Sequence, residues 1–409
     1  MTKEEKMPSK LVGTSIIAGA AIGAGMFSLP VVSSGMWFSW AMLLMIISWL
    51  LLYHSALMIL ETNLNYPRGS SFDTFVKDTL GNGWNIFNGI TLAFVLYVLT
   101  YAYISGGGSI VSHTLEVSVG LTLPPIIAGL VFAIGLAAIV YISTAFVGRM
   151  NAIFVGGMII TFILSLGDLT FRIKLPVLFD TKLSYAPYLL AAIPYFLASF
   201  GIHATVPSLM KYYGKEPERI RDCIFYGTAI SLVVYSLWLL VTQGNISREE
   251  FKPIIASGGN IGDMVGALSD VAQNKSLSAA INAFANFAIV SSFLGVSIGL
   301  FDFIADKFNI DDSPLGRLKT AAITFVPPTI GGVFFPNGFL YAIGLVGLFG
   351  VVMATIIPAL CVRASRKKFA RSGFRVRGGN TLVIIILLYA VILIGCYIFS
   401  ALGILPVYS

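Results

Sequence analysis

The chain has 409 residues, 57% hydrophobic and only 11% charged, with a mean hydropathy of +0.87 and a formal net charge of +7. Soluble domains are roughly 45–50% apolar, so the composition excludes a water-soluble protein and leaves a polytopic membrane protein with about ten to twelve crossings of roughly 20 residues each. Runs such as 43–52 and 381–393 are apolar on every face, which excludes the two-residue alternation of a β-barrel and makes the protein all-α.

In chain order, residues 1–10 form a polar tail, and the apolar run behind them reads as an uncleaved first helix. Helical spans are predicted at 11–33, 36–63, 84–111, 124–144, 150–167, 188–210, 222–243, 277–304, 319–335, 338–361 and 380–400, eleven in all. Between the second and third, Ser70 or Ser71 caps a short amphipathic helix at 72–80, suited to the inner membrane surface. An outer segment at 247–273 has helical stretches around Gly258 and Gly259. Both segments read either as loop packing or as parts of a gate.

With the N terminus inside, twenty of the 26 Lys and Arg residues fall on inner segments. The other six, Arg172, Lys174, Lys182, Arg248, Lys252 and Lys275, lie in the two longest outer loops. This bias orients the chain N-in and C-out and explains the basic excess without a nucleic-acid partner. Cys223, Cys361 and Cys396 have no metal-ligand spacing and predict no disulfide framework.

Glycine and proline interrupt two spans near their middles. The first holds Gly19, Gly23 and Gly25; the sixth holds Pro194, then Ala198-Ser199-Phe200-Gly201-Ile202-His203, then Pro207. Spans five apart run in opposite directions, as in a five-plus-five inverted repeat. That divides the chain into a cytosolic tail (1–10), a first repeat (11–167), an outer loop (168–187), a second repeat (188–361), a basic cytosolic loop (362–379) and an eleventh helix with an outer C terminus (380–409).

Unwound backbone at membrane depth is costly unless it lines a cavity, where its amides and carbonyls suit a zwitterion. The half-helix starting near Gly25 and Met26 points its positive end at a carboxylate, and carbonyls near Ala198, Ser199 and Phe200 face an ammonium. Taken alone, the first-span glycines are explained as well by close helix packing; the paired break in the sixth span favours a binding site.

These residues resemble a family. The stretch 22–30 (Ile-Gly-Ala-Gly-Met-Phe-Ser-Leu-Pro), together with Ala198 to His203, Val206-Pro207-Ser208-Leu209, Tyr101 to Ser105, Ser291 to Val296, Gly299 to Asp302 and Phe335 to Phe339, is similar to the hydroxy and aromatic amino acid permeases of the amino acid–polyamine–organocation superfamily. Leu60 to Tyr66, Gly69 to Asp73 and Met210 to Lys215 look closer to its bacterial tryptophan permeases than to its tyrosine permease. The resemblance implies an integral protein of the bacterial cytoplasmic membrane that imports L-tryptophan by ion-coupled symport and alternating access. The alternative cargo is tyrosine, phenylalanine or a hydroxy amino acid.

An indole side chain needs an apolar cavity with few polar groups. The candidate substrate-binding residues are Gly23, Ala24, Gly25, Met26, Phe27, Ala198, Ser199, Phe200 and Gly201 at the breaks, Tyr97 and Tyr101 on the third span, and Asn282 and Asn286 on the eighth. Tyr97 and Tyr101 share a helical stripe with Phe94 and Ile104, and the two asparagines share a face on which either accepts from an indole N–H or bonds to another helix.

Two coupling ions are open. For a proton, the candidates are His54, Glu61 and His203, of which Glu61 also reads as a paired residue at a helix end and His203 as a structural hydrogen-bonding group. For sodium, resemblance to the wider superfamily implies an oxygen cage from Gly19, Ile22, Ala288, Ser291 and Ser292; the alternative for the serines is interhelical bonding. Proton-driven relatives often place a lysine on the fifth span, where this chain has Gly156-Gly157-Met158. The proton is taken first, sodium second.

No organic cofactor, resident metal or obligatory protein partner is indicated; the expected partners are the amino acid and the lipid bilayer. A membrane-embedded enzyme would need a catalytic constellation, yet His54, His113 and His203 are the only histidines and are unpaired in sequence. A channel would need rings of charge or carbonyls. No nucleotide-binding loop is present to draw on ATP.

Overall fold

The computed structural model describes residues 9–272, 274–369 and 373–409, so most of the polar tail, Gln273 and Arg371 lie outside the described residues. The described residues form helices and no strand.

The first span is two helices: α1 (Lys10–Ala21), a 3-10 turn at Ala24–Phe27, and α2 (Ser28–Ser33). The axis bends by 52° between α1 and Gly25–Ser33. The second span, α3 (Trp37–Asn63), leads to α4 (Phe72–Leu80), capped by the Ser71 side chain on the Thr74 amide and ended by Gly81 at φ 89°. This is the amphipathic helix expected from the sequence. Its apolar Phe75 and Val76 are buried, and Asp78 accepts from Tyr66 and from Lys368, so α4 is tied to the protein as well as suited to a surface.

Next come α5 (Asn82–Val119), α6 (Pro125–Ile142) and α7 (Thr144–Phe171), then a short α8 (Leu175–Leu178). The 38 residues of α5 exceed the predicted span; at 1.5 Å per residue the helix is far longer than a ~30 Å hydrocarbon layer and must tilt or project. The sixth span is again divided, into α9 (Tyr188–Ser199), a 3-10 turn at His203–Thr205, and α10 (Val206–Tyr213). α11 (Pro217–Asn245) follows, and the outer segment holds α12 (Phe251–Ala256) and α13 (Ile261–Ala272). Gly258, at φ 80°, sits against the Asn337 carbonyl where a Cβ would collide, and its own carbonyl accepts from the Leu340 amide. That contact fastens the α12–α13 pair to a distant loop.

The chain closes with α14 (Lys275–Phe308), α15 (Pro314–Phe334), α16 (Phe339–Val351), a π-helical turn at Val352–Ile356, α17 (Ile357–Lys368) and α18 (Gly379–Ala401). Among the described residues nine helices, counting the sixth span as one and α16 with the π turn and α17 as one, are long and apolar enough to cross a membrane, and the bent first span makes ten. The eleventh expected segment, α15, has 21 residues but carries Arg317, Lys319 and internal Pro327 and Pro328, which lowers its apolarity.

The two ends of the bundle are distinct. At one, which we call the basic end, Lys10 meets Asp222 and Arg366 meets Glu61. At the other, the Arg248 guanidinium lies between the rings of Tyr185 and Tyr408, 4.0 and 3.9 Å from their centroids, and donates to the Ser34 and Gly35 carbonyls. α1 therefore starts at the basic end and α9 at the opposite end, so the two broken spans run antiparallel.

Candidate functional site

Both breaks face one cavity of about 640 Å³, within the range of small-molecule sites. At the first, Ile22 and Gly23 are extended (φ −74° and −157°) before the 3-10 turn. At the second, Phe200 leaves helical geometry and the Ile202 amide donates back to the Phe200 carbonyl at 2.8 Å. Such unwinding frees carbonyls at the C-terminal ends of α1 and α9.

One side chain, absent from the sequence expectations, joins these ends. The Tyr235 hydroxyl on α11 is 2.5 Å from the Ala21 carbonyl and 2.8 Å from the Ser199 carbonyl. With one proton, it donates to one at a time. Tyr235 is fully buried, and Phe200 packs edge-on against its ring at 5.3 Å. Period alone gave no signal for it, since a tyrosine on a predicted span is visible in sequence but its partners 36 and 214 residues away are not.

Of the predicted substrate residues, Gly23, Gly25, Ala198, Ser199 and Gly201 line the cavity. Ala24 contributes backbone to the 3-10 turn; its side chain lies outside the described residues. Met26 and Phe27 are buried away from the cavity lining. Phe27 stands 5.5 Å from both Trp238 and Phe284, and Phe162 stands 5.1 Å from Phe284. These rings fill the bundle between the breaks and the end opposite the basic one.

The third span enters the cavity through a different stripe. Leu92, Val95, Leu96, Leu99 and Tyr103 line it, whereas the expected tyrosines turn to α15. The Tyr97 hydroxyl donates to the Ile323 carbonyl at 2.9 Å and that of Tyr101 to Phe335 at 2.9 Å. Pro327 has no amide to offer Ile323 four residues back, so Tyr97 fills a bond that the proline removed. Asn282 and Asn286 are likewise outside the lining: Asn282 donates to the Ser278 carbonyl one turn back in its own helix, whereas Asn286 donates to Thr114 on α5, the interhelical alternative.

Among the coupling candidates, Gly19, Ile22, Ser291 and Ser292 line the cavity. A Cβ on Gly23 would come within 2.7 Å of Ser292 Oγ, so the first break and α14 touch. Ala288 lies behind them, its carbonyl accepting from Ser291 and Ser292 at 3.0 and 2.7 Å. Met158 faces the same space. His203 lines the cavity and is 2% exposed. His54 does not line it and bonds the Leu50 carbonyl through Nδ1 at 2.7 Å. Glu61 is enclosed at the basic end, where Arg366 grips its two oxygens at 2.7 and 2.8 Å and the Val376 amide donates at 2.8 Å.

The cavity extends from the breaks toward the basic end, taking in Asn151, Ser208 and Gly299. A helical bundle with two mid-span breaks around one apolar cavity, blocked by aromatic rings on one side, has the architecture of a substrate transporter. The sequence profile of the tryptophan/tyrosine permease family matches residues 6–397, and the chain belongs to that family. It is 53% identical over 412 residues to a tryptophan-specific transport protein of Shigella flexneri, covering 100% of this chain and 99% of that protein. It is 44% identical to the low affinity tryptophan permease of Escherichia coli (strain K12), covering 98% of each. A tyrosine permease of Enterobacter agglomerans is 37% identical, over 98% of this chain and 96% of that one. These relatives are transport proteins, which places the chain with carriers and not with enzymes.

Proposed function

We propose that the protein is a secondary active transporter that imports L-tryptophan across the bacterial cytoplasmic membrane by ion-coupled symport. The observation that carries this reading is the single cavity shared by the two antiparallel breaks, in a chain 53% identical to a tryptophan-specific transport protein. The N terminus is cytosolic and the C terminus outside in this reading, so the cavity extends toward the cytosol and the rings of Phe27, Trp238, Phe284 and Phe162 close the outer side. The antiparallel broken spans support the inverted five-plus-five repeat, with α18 as its appendage.

In transport, the carbonyl ends of α1 and α9 hold the substrate ammonium, and the amides of the turn beginning at Ala24 hold its carboxylate. Substrate and ion bind from outside, the rings close above them, and the cavity opens to the cytosol. The driving ion is a proton or sodium. His203 supports the first as the histidine on the cavity wall, while the salt-bridged Glu61 and the remote His54 lie elsewhere. The oxygen-bearing groups of Gly19, Ile22, Ser291 and Ser292 support the second.

The substrate reading is tested by competition against labelled tryptophan on purified protein. Displacement by unlabelled tryptophan at far lower concentration than by tyrosine, phenylalanine or serine is expected. Stronger displacement by tyrosine or phenylalanine would transfer the assignment to that amino acid.

A further inference from the structure

The basic end of the bundle carries its charge unevenly. Residues 211–222 hold four basic and three acidic residues, and residues 302–319 hold three basic and four acidic. Ion pairs tie these charges together: Arg221 meets Glu218 and Asp222, and Arg317 meets Asp312 at 2.7 Å. Residues 362–379 differ, with seven basic residues and no acidic one. A bias that only orients the chain needs cations on one side, not their separation from every carboxylate.

Two of the seven are neutralised from elsewhere, Arg366 by Glu61 and Lys368 by Asp78. Arg371 lies outside the described residues. Arg363, Lys367, Arg375 and Arg377 are exposed and pair with no carboxylate among the described residues.

These four share one side of the protein. Arg363 and Lys367 are four apart on α17, roughly 60–100° round the helix from Arg366, which donates to the Gly379 carbonyl at 3.2 Å. Along 374–377, Phe374 and Val376 are buried while Arg375 and Arg377 are exposed, so both arginines project away from the core. The Val376 amide donates to Glu61 at 2.8 Å, which fixes the backbone beneath them beside α17.

Cations left without a carboxylate draw their counter-ions from outside the chain. Three of the four are arginines, whose planar fork pairs with phosphate oxygens through two N–H bonds. Arg377 stands two residues before α18, a 23-residue apolar helix, so the patch sits where a span enters the hydrocarbon, at the level of lipid headgroups. The amphipathic α4, joined to α17 through Asp78 and Lys368, belongs at the same level.

We propose that Arg363, Lys367, Arg375 and Arg377 form a docking surface for the phosphodiester headgroups of anionic phospholipids in the leaflet at the basic end. A zwitterionic phospholipid brings no net charge and gains less there. The proposal does not depend on which amino acid is carried.

The test measures, by native mass spectrometry, the lipid retained by purified protein in detergent after equal additions of phosphatidylglycerol and phosphatidylcholine. Wild type is expected to keep phosphatidylglycerol preferentially, and Arg375→Gln and Arg377→Gln each to weaken its binding about fivefold. Combining Arg363→Gln, Lys367→Gln, Arg375→Gln and Arg377→Gln should remove the preference. A control combining Lys211→Gln, Lys215→Gln, Lys307→Gln and Lys319→Gln loses the same charge from the balanced segments and should keep it. On wild type alone, phosphatidylglycerol should slow amide hydrogen exchange at 373–378 and phosphatidylcholine should not. Inorganic phosphate should displace the lipid no better than chloride at equal ionic strength. Equal retention of both lipids by wild type, a preference that survives the fourfold patch variant or falls as far in the control, or unchanged exchange at 373–378 would overturn the proposal. Displacement by phosphate beyond that by chloride would overturn it too, by giving the patch to a soluble anion. If the fourfold variant does not fold, undiminished binding in both single variants is the overturning result.

Discussion

The Tyr235 hydroxyl reaches the Ser199 carbonyl at 2.8 Å while standing 2.5 Å from Ala21, so one O–H spans the ends of both broken helices. Its proton satisfies one carbonyl and leaves the other to a cation or an ammonium. Tyr235→Phe removes that link with little change of volume. The variant is expected to lose about 1–3 kcal/mol of stability and to bind tryptophan about tenfold more weakly, read by thermal denaturation and by equilibrium binding on the same preparation. Unchanged binding would confine Tyr235 to packing.

Gly23 and Gly25 lie two residues apart in the break but differ in surroundings. A Cβ on Gly25 meets nothing within 4 Å, because it projects into open space, whereas one on Gly23 presses on Ser292 Oγ. Gly25→Val should therefore insert and fold normally, judged by size-exclusion profile and melting temperature, yet fill the site and abolish tryptophan binding. Retained binding would mean that Gly25 serves helix packing.

Glu61 and Arg366 form a nearly enclosed pair, with side chains 5% and 9% exposed. Breaking a buried pair leaves an uncompensated charge, so Arg366→Met should cost about 3–5 kcal/mol. The double variant Glu61→Gln, Arg366→Met should recover much of that. Transport per folded molecule in the double variant should keep its ion dependence. Selective loss of proton-driven uptake at normal stability would instead make Glu61 the proton carrier.

The breaks were legible because glycine and proline announce them, and the lining of Gly19, Gly23, Gly25, Ala198, Ser199 and Gly201 follows from local sequence. α4 was legible from its serine cap and amphipathic pattern. What sequence left open were the partners of polar side chains. The 97/101 stripe on α5 was visible as a stripe, but which neighbour it faces depends on the carbonyl that Pro327 frees 226 residues away along the chain from Tyr97. Asn282 and Asn286 posed the same question, and Thr114 answers it for Asn286. Phe27 was placed at the substrate because it adjoins the break; the 3-10 turn at Ala24–Phe27 carries its ring into the Trp238 and Phe284 cluster instead.

That cluster gives a further expectation. Trp238 and Phe284 are almost wholly buried with ring centroids 5.3 Å apart, and their loss removes the packing that blocks the outer path. Phe284→Ala should raise labelling of a cysteine introduced at Gly201 by a membrane-impermeant maleimide added from outside. Labelling only from the cytosolic side, as in the parent Gly201→Cys protein, would show that other groups form the seal.

Met158 faces the same cavity as the oxygen set. If sodium sits among Gly19, Ile22, Ser291 and Ser292, Met158→Lys supplies a fixed positive charge nearby and uptake becomes independent of sodium. An unchanged sodium response would remove that seat.

The central claim is that the two breaks form the cargo site of a concentrative tryptophan carrier. Its most direct measurement is uptake of labelled L-tryptophan into liposomes holding the purified protein, with proton and sodium gradients imposed separately, for wild type and Gly25→Val. Saturable accumulation above equilibrium under one gradient, lost in a correctly folded Gly25→Val protein, is the predicted result. Wild-type protein that accumulates no tryptophan under either gradient would contradict the account.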